Sequence, residues 1–257
     1  MNINKVLSMD IKLLSYNIQS WDITERRIKG IFDLIKRHNP DVICLQEVTM
    51  TWFSLFKKEL SDIYGFTGRD RFHGDHVALK RDRERNCVLY KKERFDLMKS
   101  HTYWLGPDIY HPSKFEESVF NRIFTATTLF DKANKQKIQC ISTHFDYLLP
   151  EVREQQALVL ANYLKKQKGY ILLAGDFNNT PEEKAHDIIG DILVDIGHEF
   201  NEDSITYHAY DKFPHEKIDY IFRSHNIKAK EFTLVKDEYE GLPPSDHYPV
   251  ESILDYL

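Results

Sequence analysis

The chain has 257 residues, of which 42% are hydrophobic and 29% are charged, and its formal net charge is -5. This composition supplies a sizeable core and excludes a disordered chain, and the length fits one large α/β domain over residues 1–257. The acidic balance also excludes a global positive field that would attract nucleic acid or an anionic membrane. Any phosphate must therefore be bound locally, by a metal ion or by a few cationic side chains.

The three cysteines predict a reducing compartment. Cys44, Cys87 and Cys140 each lie in an apolar run, where a reduced thiol packs as a small hydrophobe, and an odd number argues against a disulfide framework. Residues 1–10 lack the apolar segment of a signal peptide, and no stretch reaches the roughly 20 apolar residues that span a bilayer. We expect a cytoplasmic protein with no transmembrane segment and no obligate protein partner.

The first elements alternate between strand and helix. Residues 11–15 predict a strand, and the helix after it has a start that resembles a capping box, with Asp22 and Glu25, and an end at Asn39-Pro40. A second strand is predicted at residues 42–45, followed by a helix over residues 52–60.

The second part of the chain is richer in strands. Strands are predicted at residues 86–90, 124–130 and 137–143, followed by a helix from Pro150 to about residue 168, where Gly169 is a natural terminator. An apolar strand at residues 170–174, a helix at 182–189 and strands at 218–222 and 249–254 complete the pattern. Because several strands follow one another without a helix, we predict an α/β sandwich of two sheets flanked by helices, not a simple βαβ winding.

One segment is locally basic and is typical of a solvated loop, with contact to the substrate as the alternative. Its cations are Lys80, Arg81, Arg83, Arg85, Lys91, Lys92 and Arg94, interspersed with Asp82, Glu84 and Glu93.

Polar residues follow the apolar strand at residues 170–174. Asp176 and Asn178 are two positions apart, so they can face one side while Phe177 is buried, and Gly175 permits a sharp backbone turn. The alternative is an Asx turn leading into Pro181.

Two histidines occupy similar positions at strand ends. His144 and Asp146 close the run at residues 138–142 and lie on one side of the chain. Asp246 and His247 would face opposite sides of a regular strand, so they can serve one site only in a loop, as the flanking prolines indicate. Either histidine alone is more often structural than catalytic.

Three further polar residues stand in apolar surroundings. Glu47 ends an apolar run, and Asn17 has the same position after residues 13–16. Asp219 lies inside the predicted strand at 218–222, where a charged group is costly to bury unless it is paired or metal-bound.

Eight segments in this order resemble the endonuclease/exonuclease/phosphatase superfamily, which has the DNase-I-like fold. They are SYNIQ (15–19), LQE (45–47), ERNCVLY (84–90), Arg122 before a strand, STHFD (142–146), GDFNNTP (175–181), IDYIF (218–222) and SDHYPV (245–250). The resemblance spans essentially the whole chain. It implies a four-layer α/β sandwich of two mainly antiparallel sheets flanked by helices, and the motifs are most similar to a bacterial branch of metal-dependent hydrolases.

The resemblance also implies a metal site. Glu47 would be the principal ligand of Mg²⁺ or Mn²⁺, with Asn17 and Asp246 in or beside its coordination shell. Ligands of this kind, all of them oxygen, suit a hard cation.

His247 would be paired with Asp219, which fixes the imidazole tautomer and favours the charged ring. In this role His247 accepts a proton from water or stabilises the transition state. Members of the superfamily differ in their base, and the alternative is Asp176. We favour His247, with Asp176 and Asn178 orienting the water and the phosphoryl oxygen.

His144 resembles a second histidine that acts as a phosphate donor or general acid and is held by a glutamate, here Glu84. Arg122 would contact phosphate, because its planar fork suits that anion; the alternative is a surface pairing with Glu116 or Glu117.

Gln19 departs from abasic-site endonucleases, which commonly carry an aspartate there, and His144 is also unlike that branch. We therefore expect a phosphoesterase that hydrolyses a phosphodiester, in nucleic acid or in a small molecule, by in-line attack of water. The alternatives are a small-molecule or phospholipid/inositol phosphoesterase and a catalytically inactive binding scaffold.

Overall fold

The computed structural model describes residues 8–72 and 83–257, and this part of the chain contains two six-stranded sheets and five α-helices. The strands of the first sheet are β1 (Ile11–Asn17), β2 (Val42–Val48), β3 (Tyr64–Thr67), β4 (Arg85–Lys91), β11 (Ile227–Leu234) and β12 (Val250–Tyr256). Those of the second sheet are β5 (Phe95–Trp104), β6 (Ile123–Asp131), β7 (Gln136–His144), β8 (Tyr170–Asp176), β9 (Val194–Asp195) and β10 (Asp219–Arg223). The spatial orders are β11-β12-β1-β2-β4-β3 and β5-β6-β7-β8-β10-β9.

Helices cover the outer faces of both sheets, which confirms the predicted four layers. The helices are α1 (Glu25–His38), α2 (Met50–Leu60), α3 (Pro150–Leu164), α4 (Lys184–Gly190) and α5 (Ile196–Glu199). One apolar cluster fills the space between the sheets, a second packs α1 and α2 on the first sheet, and a third packs α3 and α4 on the second. Burial of each sheet on both faces explains the nearly continuous apolar runs of the central strands.

Each sheet contains one parallel pair of strands at its centre, namely β1 with β2 and β7 with β8, and each pair is joined through a helix. The other paired strands run antiparallel. Parallel strands bring their carboxyl ends to one edge, where α/β sheets commonly bind ligands. Polar residues that end these four strands therefore lie at the same edge of the sandwich.

Some boundaries differ from the sequence prediction. The first helix is capped by Thr24, whose side chain accepts a hydrogen bond from the Arg27 N–H, so the predicted start at Asp22 was wrong. The helix predicted to reach residue 168 ends at Leu164. Gly175 lies inside β8 and not in a turn; a Cβ there would lie 2.1 Å from the Thr143 carbonyl oxygen, so close approach of β7 requires glycine.

Over its described residues, 83–94, the basic segment is not the solvated loop that was expected. Lys80, Arg81 and Asp82 lie outside the described residues. In the described part, Arg85 pairs with Asp70, and Arg94 is buried with its guanidinium on Asp131 and Asp41.

The three cysteines are buried and unpaired, as predicted. In the described ranges, no helix has the length and apolar character needed to cross a lipid bilayer.

Candidate active site

A cavity of about 600 Å³ opens at the edge where the parallel strands end. Eight of the ten predicted site residues line it. They are Glu47, Glu84, Arg122, His144, Asp176, Asn178, Asp246 and His247. Asn17 and Asp219 are the other two, and both are buried directly behind the lining residues through hydrogen bonds to them.

The carboxyl ends of β1 and β2 supply Asn17 and Glu47. Glu47 has a φ of 61°, and the pairing of β2 with β4 shifts register between Leu45 and Val48, so a bulge places Glu47 at the cavity. The Asn17 Nδ2 donates to Glu47 Oε1 at 3.1 Å and to Asp176 Oδ2 at 2.9 Å. Its Oδ1 accepts from the Gln19 N–H, so in this structure Asn17 is a donor between two carboxylates.

The carboxyl ends of β7 and β8 supply His144 and Asp176, which are direct neighbours across the parallel pair. The His144 Nε2 lies 3.3 Å from Asp176 Oδ2. Asn178 has a φ of 49°, and its backbone N–H donates to Asp176 Oδ1. The alternative Asx turn is therefore present, and both side chains also line the cavity while Phe177 is buried.

The loop before β12 brings His247 onto Asp219, the first residue of β10. The Nδ1 of His247 lies 2.8 Å from Asp219 Oδ2, and both side chains are buried. The Nε2 of the same ring lies 3.8 Å from Asp176 Oδ2 and 4.0 Å from Asp246 Oδ1. The predicted pairing of the charge inside the apolar strand with the histidine of the loop is therefore present.

Burial and charge shift the pKa values of this group in opposite directions. Burial lowers the pKa of His247, but the Asp219 carboxylate and its hydrogen bond, aided by Asp176 and Asp246, raise it to about 10. Burial and the nearby charge of Asp219 raise the pKa of Asp176 to about 7 against the opposing effect of His247. Burial, followed by the charge of Arg122, holds the pKa of His144 well below its ordinary value. The site thus holds a cationic His247 beside a neutral His144 at neutral pH.

Glu84 differs from its predicted role. Among the described residues its hydrogen bonds come from Arg71 Nη1 at 2.7 Å and Ser20 Oγ at 3.1 Å, and not from His144. Arg122 is buried, lines the cavity and stacks on Phe120 at 5.2 Å, so it is not a surface partner of a glutamate. Its Nε is buried and has no hydrogen-bond partner within the described chain.

The acidic side chains fit the divalent cation that the superfamily implies. Burial and then the charge of Glu47 raise the pKa of Glu84, and desolvation, with a further contribution from Glu47, raises the pKa of the partly buried Asp246. A hard cation held by the oxygens of Glu47 and Asp246 would relieve this repulsion. Asp176, Asp219 and His247 also place ligand atoms within 4.8 Å of one another, but the ion pair of His247 with Asp219 accounts for that cluster.

Sequence reasoning missed two side chains that hold the loops of the site. Arg27 of α1 is buried and donates to backbone carbonyls of Ile18, Gln19 and Pro244, so it ties the loop after β1 to the loop before β12. Asp146, expected beside His144, instead accepts from Ser118 Oγ and the Val119 N–H and fixes the loop before Arg122. The available signal for Arg27 was its position four residues before Ile31, on the apolar side of an amphipathic helix.

Comparisons with known proteins agree with this architecture. Residues 14–247 match the model of the Endonuclease/Exonuclease/phosphatase family. The CCR4-Not complex 3'-5'-exoribonuclease subunit Ccr4 of Saccharomyces cerevisiae is 24% identical over 93% of this chain and 36% of its own length. The probable Ccr4 subunit of Encephalitozoon cuniculi is 25% identical over 89% of this chain and 56% of its own. The chain thus spans about half the length of these relatives or less.

Solved structures share the whole fold. An endonuclease/exonuclease/phosphatase from Bacteroides vulgatus superposes with a TM-score of 0.84 at 24% identity, over 97% of this chain and 100% of the other. A mannosyl-6-phosphatase from Bacteroides thetaiotaomicron gives a TM-score of 0.85 at 22% identity, over 96% and 100%. The match of the family model over most of the sequence shows that this chain belongs to the endonuclease/exonuclease/phosphatase family, whose members hydrolyse phosphate esters.

Proposed function

We propose that this chain is a Mg²⁺- or Mn²⁺-dependent phosphodiesterase that hydrolyses single-stranded nucleic acid by in-line attack of water. The observation that carries the proposal is the convergence of Arg122, His144 and the buried His247–Asp219 pair on one cavity that also contains Glu47 and Asp246. Anion-binding groups and metal-type carboxylates in one cavity are what phosphoryl transfer requires.

Glu47 and Asp246 would hold the cation, with Asn17 orienting Glu47 through its amide. When bound, Mg²⁺ or Mn²⁺ supplies neutralisation of the charge that develops on the phosphate and the leaving oxygen.

The raised pKa of His247 favours Asp176 as the base. A group with a pKa near 10 is protonated at neutral pH, so His247 donates from Nε2 to a phosphoryl oxygen and does not take a proton from water. Asp176, with a pKa near 7, accepts the proton of the attacking water. The Asn17 amide and the N–H of Asn178 orient its carboxylate. This is the alternative assignment of the sequence analysis, and His247 keeps its transition-state role.

His144 and Arg122 would bind the remaining phosphate oxygens. The lowered pKa of His144 keeps its ring neutral, so one ring nitrogen donates without adding charge. Arg122 supplies the permanent positive charge, and its stacking on Phe120 fixes the plane of the guanidinium.

Aromatic side chains at the cavity support a substrate with bases. Trp21 and Tyr147 line the cavity, yet they are 79% and 53% exposed. Exposed rings beside a phosphate site form stacking surfaces for unpaired bases, and each stacked base contributes about 1–3 kcal/mol. Sequence relatives that are 3'-5'-exoribonuclease subunits support the same substrate class. The buried thiols support a reducing compartment such as the cytoplasm.

A small-molecule phosphoesterase is the second candidate. The net charge of -5 opposes tight binding along a polyanion, and a cavity of about 600 Å³ would enclose a phosphorylated metabolite or an inositol headgroup. An inactive scaffold of the same fold is the least supported, since each predicted site residue has the expected side-chain type and lies at or behind the cavity.

The test is hydrolysis by Mn²⁺-loaded protein of matched substrates: single-stranded RNA and DNA oligonucleotides, a duplex, a chromogenic phosphomonoester and phosphoinositide vesicles. We expect cleavage of the single strands in preference to the duplex and the monoester. The His247→Ala variant, purified identically, controls for contaminating nucleases. Preferential hydrolysis of the monoester or of the phosphoinositide vesicles would favour the small-molecule phosphoesterase. Inactivity on every substrate would support the inactive scaffold.

A further inference from the structure

Three consecutive residues beside the site have left-handed backbone conformations. Ala209, Tyr210 and Asp211 have φ angles of 48°, 52° and 63°. L-amino acids adopt this region at an energetic cost, and a run of three persists only where surrounding contacts enforce it. Here the backbone N–H groups of His208 and Ala209 both donate to the carbonyl oxygen of Asp246, at 2.9 and 3.2 Å.

The left-handed turn directs Tyr210 to Gln19. The Tyr210 hydroxyl donates to Gln19 Oε1 at 2.8 Å, and the Gln19 Nε2 donates to Asp246 Oδ2 at 3.0 Å. We call this chain of hydrogen bonds from Tyr210 through Gln19 to Asp246 the relay. Gln19 is 5% exposed, and its own φ of 52° is held by a hydrogen bond from Arg27 to its carbonyl oxygen.

The relay fixes which end of the Gln19 amide faces the carboxylate. A carboxamide has a donor end and an acceptor end, and a rotation of 180° exchanges them. A tyrosine hydroxyl that donates to Oε1 leaves Nε2 for Asp246. Without the hydroxyl, Oε1 has no partner to hold it, and the amide can rotate and present an oxygen to a second oxygen.

The same short segment contacts the other acidic ligand. The Gln19 N–H donates to Asn17 Oδ1 at 3.0 Å, and the Ser20 N–H donates to Glu47 Oε2 at 2.8 Å. The loop that holds Gln19 therefore contacts all three side chains expected in or beside the metal shell, Asn17 and Glu47 through its backbone and Asp246 through the Gln19 amide.

We propose that Tyr210 is a positioning residue that acts through Gln19 to hold the Asp246 carboxylate in the orientation that binds the divalent cation. This inference rests on the proposed function, because it assumes that Glu47 and Asp246 hold the cation. It gives Gln19 a donor role at a position where a second acidic ligand stands in abasic-site endonucleases.

The experiment is direct titration of Mn²⁺ by calorimetry into the whole chain and into Tyr210→Phe, Gln19→Met and the double variant. Loss of an outer-shell partner of a metal ligand typically weakens binding 10- to 100-fold, so we expect a Kd for Mn²⁺ about tenfold higher in Tyr210→Phe and at least as high in Gln19→Met. If the relay acts as one unit, the double variant matches Gln19→Met. Tyr248→Phe is the matched control, since Tyr248 stacks on His208 but takes no part in the relay.

A second measurement separates positioning from general damage to the fold. The metal-free melting temperature of Tyr210→Phe should fall only slightly, as expected for the loss of one hydrogen bond, and kcat at saturating Mn²⁺ should return close to the original value. Unchanged Mn²⁺ affinity in Tyr210→Phe, or losses in the two single variants that multiply in the double variant, would overturn the relay while leaving the proposed function intact. Absence of Mn²⁺ binding by the unmodified chain would overturn both.

Discussion

His247 Nδ1 lies 2.8 Å from Asp219 Oδ2 at the base of the cavity, and both side chains are buried. This contact joins the loop before β12 in the first sheet to the start of β10 in the second. A buried carboxylate is stabilised by the cationic ring, and the ring is in turn oriented so that its Nε2 faces Asp176 and Asp246.

The two residues should act as one catalytic unit. His247→Ala and Asp219→Asn should each lower kcat by roughly 100- to 10,000-fold, the range for loss of an acid–base group. The double variant should be little worse than the worse single one, because each substitution already removes the function of the pair. Steady-state kinetics measure this, with His198→Ala on the exposed side of α5 as the control. Losses that simply multiply would mean that the residues work separately.

The pH dependence of kcat/KM should distinguish Asp176 from His247 as the base. If Asp176 is the base, the rate rises with pH up to about 7 as its carboxyl ionises, and it falls above about 10 as His247 loses its proton. A neutral His247 base would instead give a rate that continues to rise towards pH 10. The profile is measured at constant metal occupancy.

Asp219→Asn is the internal check on this profile. The Asp219 carboxylate raises the pKa of His247, so its removal should move the upper limb to lower pH. If the fall in kcat/KM at high pH stays at the same pH in Asp219→Asn, that fall does not arise from His247.

Catalysis should require a divalent cation bound at Glu47. Excess EDTA should abolish turnover, and Mg²⁺ or Mn²⁺ should restore it. Glu47→Gln keeps the shape of the side chain and removes its charge. Because loss of an outer-shell partner alone weakens metal binding about tenfold or more, loss of this proposed ligand should raise the Kd for Mn²⁺ by at least roughly tenfold. Calorimetric titration measures the change against Glu59→Gln, an exposed position on α2. Equal affinities in the two variants would exclude Glu47 from the metal site.

Arg94 should be the main ionic contributor to stability. Its guanidinium binds Asp131 of the second sheet and Asp41 beside the first, and all three side chains are largely buried. Arg94→Met leaves two carboxylates without their cation and should lower the free energy of unfolding by about 3–5 kcal/mol. Urea denaturation measures this, and Lys29→Met at an exposed ion pair should change it by less than about 1 kcal/mol. Equal effects in the two variants would show that the buried contact is not stabilising.

The pH dependence of this stability has a defined sign. Burial raises the pKa of Asp131, but the hydrogen bonds from Arg94 and Asn134 outweigh it, so the folded-state pKa is lowered. A lowered carboxyl pKa contributes stability that is present above the unfolded value of about 4 and is lost as pH falls through the folded value. The difference between the unmodified chain and Arg94→Met should therefore shrink below pH 4.

The sequence by itself determined the layers and the central strands, and it named the candidate site residues. Apolar runs mark strands that are buried on both faces, and polar residues directly after such runs, as at Glu47 and Asp176, lie at the strand ends where functional groups are commonly displayed. The same logic failed for β3, β5, β9 and β11, which are the four edge strands of the two sheets. β5, for example, exposes Leu97 and Met98, so its pattern carries no clear period.

Only the tertiary structure decided which partner each polar side chain has. Glu84 binds Arg71 and Ser20 and not the predicted His144, and Gln19 links Tyr210 to Asp246 across 191 and 227 positions of sequence. Hydrogen-bond partners at such separations depend on the conformation of the loops. Glu47 and Tyr210, for example, have left-handed backbone conformations that their residue types do not predict. The charge balance has the same origin. The pKa of His247 is raised by its sequence neighbour Asp246 and, more strongly, by Asp219 and Asp176, which only the packing of the two sheets brings within 4 Å of its ring.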